Sequence, residues 1–159
     1  MNKSLREQVF TGLDWTFRLL LAGLFLYAAW PKMLDPEGFA RSITNYKVTL
    51  PVVGQNYVYL SAMFLPALEA VAAVCLFWPK LRRGAALTLV VLLSVFTVLI
   101  LQAVLRGLNI DCGCFGSSAI SAALATKVGW TKILENLGYL AAAIFVYLRA
   151  CPPKPKYRL

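Results

Sequence analysis

Four stretches of the chain are nearly free of charge. Residues 13–34 carry Asp14, Arg18 and Lys32 toward their ends and nothing charged across 19–30; residues 57–78 carry only Glu69. Residues 84–105 carry no charge, and residues 130–148 carry Lys132 and Glu135 near their start. Each is close to the ~20 apolar residues that an α-helix needs to cross about 30 Å of hydrocarbon. The pattern predicts an all-α, polytopic membrane protein built as a four-transmembrane-helix bundle. Its two longer connections, 35–56 and 106–129, are too short to fold as independent domains. The chain therefore divides into a single membrane domain, 1–150, and a short basic tail, 151–159, broken by three prolines.

The connections carry weaker signals. In residues 36–46 a proline stands near the start and Phe39, Ile43 and Tyr46 recur at helical spacing, which predicts a short interfacial helix. Residues 118–128 are Ala-rich with Ile120 and Leu124 four apart, and a second interfacial helix is expected there. The first apolar segment follows Lys3 and Arg6, as in a signal peptide. Leu26 and Tyr27 stand where a cleavage site needs a small residue, so the segment is read as an uncleaved anchor.

Composition agrees with a membrane class. Hydrophobic residues make up 60% of the 159 and charged residues 14%, against about 45 to 50% and 25% in soluble domains. The net charge of +9 then marks membrane edges, since the basic residues are scattered over loops and form no nucleic-acid-binding face. Nine of them fall on or beside the amino end, the 79–83 turn and the tail, six on or beside the other two connections, and Arg18 within the first span. By the positive-inside rule both termini face the cytoplasm. Trp15, Trp30, Tyr57, Trp78, Trp130 and Tyr147 lie near segment ends, as an aromatic belt does.

The absence of histidine removes the common catalytic triads and His-ligated metals. The sharpest chemistry left is Cys112-Gly113-Cys114, flanked by Asp111 and Phe115, just past the outer end of the third span. On that side thiols meet an oxidising compartment. A bridge closed across one residue is strained and easily reduced, which suits exchange better than scaffolding; Gly113 supplies the backbone freedom to close it. Lys32 would lower a nearby thiol pKa and Asp111 would raise it. Two inert readings stand beside this one. The pair could be an unreactive turn, or half of a zinc site completed by another chain; no metal is expected within the chain itself.

Glu69 is the one charge in the middle of a span, and it should face the bundle interior, either protonated or paired. Arg18 is the candidate partner, with Thr88, Ser94, Thr97 or a carbonyl freed by Pro66 as hydrogen-bonding alternatives. Functionally, Glu69 reads as a proton carrier or quinone contact. Gln102, Glu135 and Asn136 are expected to share its cavity, with Phe115 and Trp130 available to stack on a quinone.

These elements together resemble the MauE branch of the DoxX-like membrane proteins. The likeness rests on Ala-Ala-Trp-Pro-Lys-Met-Leu-Asp-Pro at 28–36, Phe39, Tyr46, Leu-Pro-Ala-Leu-Glu at 65–69 and Asp-Cys-Gly-Cys-Phe-Gly at 111–116. It implies an integral inner-membrane protein that assists maturation of a disulfide-rich periplasmic methylamine dehydrogenase beside a thioredoxin-like partner, with quinone-linked relatives. On that resemblance Cys112 and Cys114 are the redox pair, and Lys32, Asp35 and Glu69 are family positions. The function expected is thiol–disulfide exchange with a periplasmic thioredoxin-like or disulfide-containing client. A non-catalytic assembly or anchor subunit, and a small transporter built around Glu69, are the rivals.

Overall fold

The computed structural model describes residues 3–46, 56–107 and 130–151, and among them every regular element is a helix. These are α1 (Lys3–Leu34), α2 (Pro36–Asn45), α3 (Asn56–Cys75), α4 (Arg82–Leu105) and α5 (Trp130–Ala150). All but α2 are long and apolar enough to cross a membrane. The interfacial helix expected at 118–128 and the basic tail beyond Cys151 lie outside the described residues.

Helix α1 starts ten residues before its apolar segment does. These first turns touch the bundle through Phe10, whose ring stacks on Phe145 of α5 at 6.4 Å, while Leu5 and Val9 stay exposed. Helix α2 begins as its sequence foretells. Pro36 occupies the first turn, where its missing N–H costs nothing, and the Asp35 carboxylate accepts a hydrogen bond from the Gly38 amide at 2.9 Å. Phe39 and Ala40 then bury against Ala62, Val58 and Leu65 of α3. Burial also pushes the Tyr46 phenol up to about 12, so the group that ends α2 stays neutral.

The long helices pack as two antiparallel pairs, α1 on α3 and α4 on α5. Where the pairs meet, the core is built largely of small residues facing leucines: Ala22, Ala72, Ala73, Ala85, Ala86, Ala142 and Ala143 around Leu21, Leu76, Leu89 and Leu93. Small side chains let helix backbones approach closely, the usual basis of packing where lipid removes the hydrophobic drive. Only 28 to 33% of each span is buried within the protein. The outward faces carry Leu19, Phe64, Val71, Val98, Leu134 and Leu148, an apolar surface that water would not tolerate and a bilayer covers. Trp30, Trp78 and Trp130 point outward at or near helix ends, where indoles sit at the headgroup level, and Trp15 points outward within α1.

Candidate functional site

The chain doubles back so that Lys32, two residues from the end of α1, meets Glu69 in the body of α3. The Lys32 ammonium donates to both carboxylate oxygens, at 3.0 Å to Oε1 and 2.9 Å to Oε2. Both side chains are at least 98% buried. An isolated charge at this depth costs about 2.5–3.5 kcal/mol on insertion scales, and each residue supplies the other's counter-ion. Two rings close over the ammonium: Phe39 from α2, at 5.0 Å from its centroid, and Phe96 from α4, at 5.1 Å. Aromatic faces attract a cation and replace water around it. Four helices thus converge on one Lys–Glu pair.

Beside the pair lies a cavity of about 60 Å³. Leu24, Phe25, Ala28, Leu93 and Phe96 form its apolar walls, and Lys32, Glu69, Lys132, Asn136 and Tyr139 its polar ones. Lys132 donates to Glu135 at 2.7 Å, one turn along α5. Asn136 is buried, and its amide nitrogen has no hydrogen-bond partner among the described residues. An unmet buried donor costs about 1–3 kcal/mol.

At the opposite end of the bundle a second cluster joins three helices. Asp14 accepts from Arg18 one turn along α1, and Arg82 of α4 lies 3.6 Å from the same carboxylate. Arg82 also donates to the Arg149 carbonyl in the last turn of α5, at 3.1 Å, so it caps that helix while holding α1.

The sequence reading is corrected in two places. Arg18 does not pair with Glu69, because Asp14 is a nearer partner on its own helix and Lys32 fills the place at Glu69. Thr88, Ser94 and Thr97 do not reach Glu69 either, since each hydroxyl donates to the carbonyl four residues back, on Gly84, Val90 and Leu93. Of the residues expected around Glu69, Asn136 lines the cavity, whereas Gln102 stands six residues beyond Phe96 and Glu135 lies outside the wall, nearly half exposed. Trp130, expected near a ligand, faces outward, and Asp35 serves as the cap of α2. Lys132, Tyr139, Phe39 and Phe96 were not foreseen at this site. Only Lys132 carried a signal, as a cation inside an apolar run. Cys112, Cys114, Asp111 and Phe115 lie outside the described residues.

A family model described as methylamine utilisation protein MauE matches residues 11–149. The chain belongs to the MauE family. Among curated MauE proteins, that of Paracoccus denitrificans is 37% identical over 133 residues, covering 83% of this chain and 67% of the relative. That of Paracoccus versutus is 35% identical over 145 residues, covering 91% and 72%, and that of Methylophilus methylotrophus 31% over 129, covering 80% and 64%. No solved structure matches the chain. The MauE match takes in nearly all of the four long helices, the Lys32–Glu69 pair, the cavity and the Cys-Gly-Cys sequence.

Proposed function

We propose that this chain is a membrane accessory protein of a methylamine utilisation system, and that it exchanges disulfides through Cys112 and Cys114. The observation that carries the reading is the MauE match across residues 11–149, with the cysteine pair inside it. Geometry lends support from either side of the pair. The connection 108–129 leaves α4 and enters α5 at the same end of the bundle as Lys32, and the positive-inside count makes that end extracytoplasmic. The protein would then sit in the inner membrane with both termini in the cytoplasm, and its client would be a periplasmic thioredoxin-like or disulfide-containing protein.

The step is thiol–disulfide exchange. The thiolate of one cysteine attacks a sulfur of the client's disulfide and releases the other client sulfur as a thiolate. The second cysteine resolves the mixed disulfide. Cys112 and Cys114 end bridged, and the client carries both electrons and, after protonation, two thiols. The reverse sequence oxidises the client and leaves the pair reduced. In that direction a two-electron acceptor must restore the bridge, and a membrane quinone has the right chemistry.

The test is genetic and chemical together. In a methylamine-growing bacterium lacking its own MauE, the intact chain restores growth on methylamine, and a variant with both Cys112→Ser and Cys114→Ser does not, although it reaches the membrane in equal amount. Single replacements accumulate a mixed disulfide with the client, visible as a reducible adduct. Full growth with both serines contradicts exchange and makes the chain an anchor or assembly subunit.

A further inference from the structure

Where α1 begins and α5 ends, the surface gathers arginines from three helices. Arg6 lies one turn before Phe10 on α1, and Arg149 one turn after Phe145 on α5. The stacking of Phe10 on Phe145 sets the two arginines at one height, and both guanidinium groups lie over the Phe10 ring, at 5.9 and 6.0 Å from its centroid. Arg82 reaches the same place from α4 through the Arg149 carbonyl, and Arg83 lies over Tyr147 of α5 at 5.8 Å. Arg6, Arg83 and Arg149 are all exposed. Acid is scarce beside them. The Asp14 carboxylate is buried and taken by Arg18, and Glu7 of α1 is the one other acid on these three helix ends. A ring attracts a cation but offers no acceptor oxygen, so the donors of Arg6 and Arg149 stay free for an anion; neither guanidinium makes a hydrogen bond or an ion pair among the described residues.

We infer that this surface binds the phosphate group of an anionic phospholipid, held between Arg6 and Arg149 with Arg83 alongside, while the acyl chains run down the apolar face beneath. The planar fork of guanidinium N–H donors matches phosphate oxygens. Free phosphate shares that chemistry, and depth decides for the lipid. Leu13 of α1 and Ile144 and Leu148 of α5 are exposed on the membrane side of the arginines, a surface suited to hydrocarbon. Trp78 points outward at the same end of the bundle, where an indole marks the headgroup level. The positive-inside count makes this end cytoplasmic, and basic clusters there meet the anionic lipids of the inner leaflet. Neither the cysteine pair nor the Lys32–Glu69 cavity takes part.

The full chain, purified in non-ionic detergent at constant ionic strength, is titrated with dioleoyl phosphatidylglycerol, dioleoyl phosphatidylcholine and inorganic phosphate while its thermal unfolding midpoint is followed by tryptophan fluorescence. A ligand of the folded state raises that midpoint. The expected result is a saturable rise with phosphatidylglycerol and none with phosphatidylcholine or phosphate. Arg149→Gln weakens the phosphatidylglycerol response about tenfold, the loss of one charge-assisted contact, and keeps the backbone carbonyl that Arg82 uses. Arg41→Gln, on α2 at the opposite end, removes the same charge and leaves the response unchanged. Should Arg149→Gln fail to fold, Arg6→Gln carries the same test. Equal rises with the two lipids would make the acyl chains the ligand, and a rise with phosphate as large as that with phosphatidylglycerol would make the site one for a free anion. Equal weakening by Arg41→Gln would reduce the effect to bulk charge. Each of these outcomes overturns the inference, as does the absence of saturation with every probe.

Discussion

The two buried charge clusters solve one problem in opposite ways. At one end, Asp14 and Arg18 are a turn apart on one helix, so they meet as soon as that helix forms. At the other, Lys32 and Glu69 are 37 residues apart and meet only when α1 packs on α3. In hydrocarbon every charge needs a partner before or during insertion. A local pair meets that need within one segment and says nothing about the fold. The distant pair makes the same need conditional on helix packing, and so specifies which helices pair and in what register. It is also the pair beside which the cavity opens.

Breaking the distant pair should therefore cost most. Glu69→Leu leaves the Lys32 ammonium buried without a counter-ion, and one-sided loss of a buried pair costs about 3–5 kcal/mol. The expected outcome is a strong fall in unfolding midpoint, read by tryptophan fluorescence in detergent. Adding Lys32→Met to Glu69→Leu should restore most of the loss, because replacing both partners removes the uncompensated charge. If the double variant is as unstable as the single one, the pair is not acting through charge.

Arg18→Leu should cost less, about 1–3 kcal/mol, because Arg82 remains 3.6 Å from Asp14 and can take over. A loss as large as that of Glu69→Leu would erase the contrast between local and distant pairing. The smallest effect belongs to Asp35→Ala, which removes the cap of α2 at about 1 kcal/mol and should loosen the helix that carries Phe39 to Lys32. Asp35→Asn keeps an accepting oxygen and should restore it, with hydrogen exchange of α2 amides as the readout.

This contrast explains what was legible in the sequence. The four spans announced themselves because length and missing charge are properties of a segment alone, and α2 because a proline and the helically spaced Phe39, Ile43 and Tyr46 lie within eleven residues. Glu69 was legible as a buried charge, but its partner was not. Arg18 and Lys32 both flank apolar runs, and only the offset between α1 and α3 decides which one reaches it. Asp14 and Arg18 have the i, i+4 spacing of a local ion pair in the sequence itself. The place of Asn136 was hidden more deeply, since the cavity that it lines exists only as a relation among helices.

The exchange function itself is tested most directly in intact cells. A membrane-impermeant alkylating reagent is applied with and without prior reduction, and the modified cysteines are mapped by mass spectrometry. The other two cysteines, Cys75 and Cys151, lie at the Asp14 end of the bundle. The account predicts that Cys112 and Cys114 label only after reduction and that Cys151 stays protected until lysis. Labelling of Cys151 in intact cells, or a cysteine pair that never changes its redox state, would contradict it.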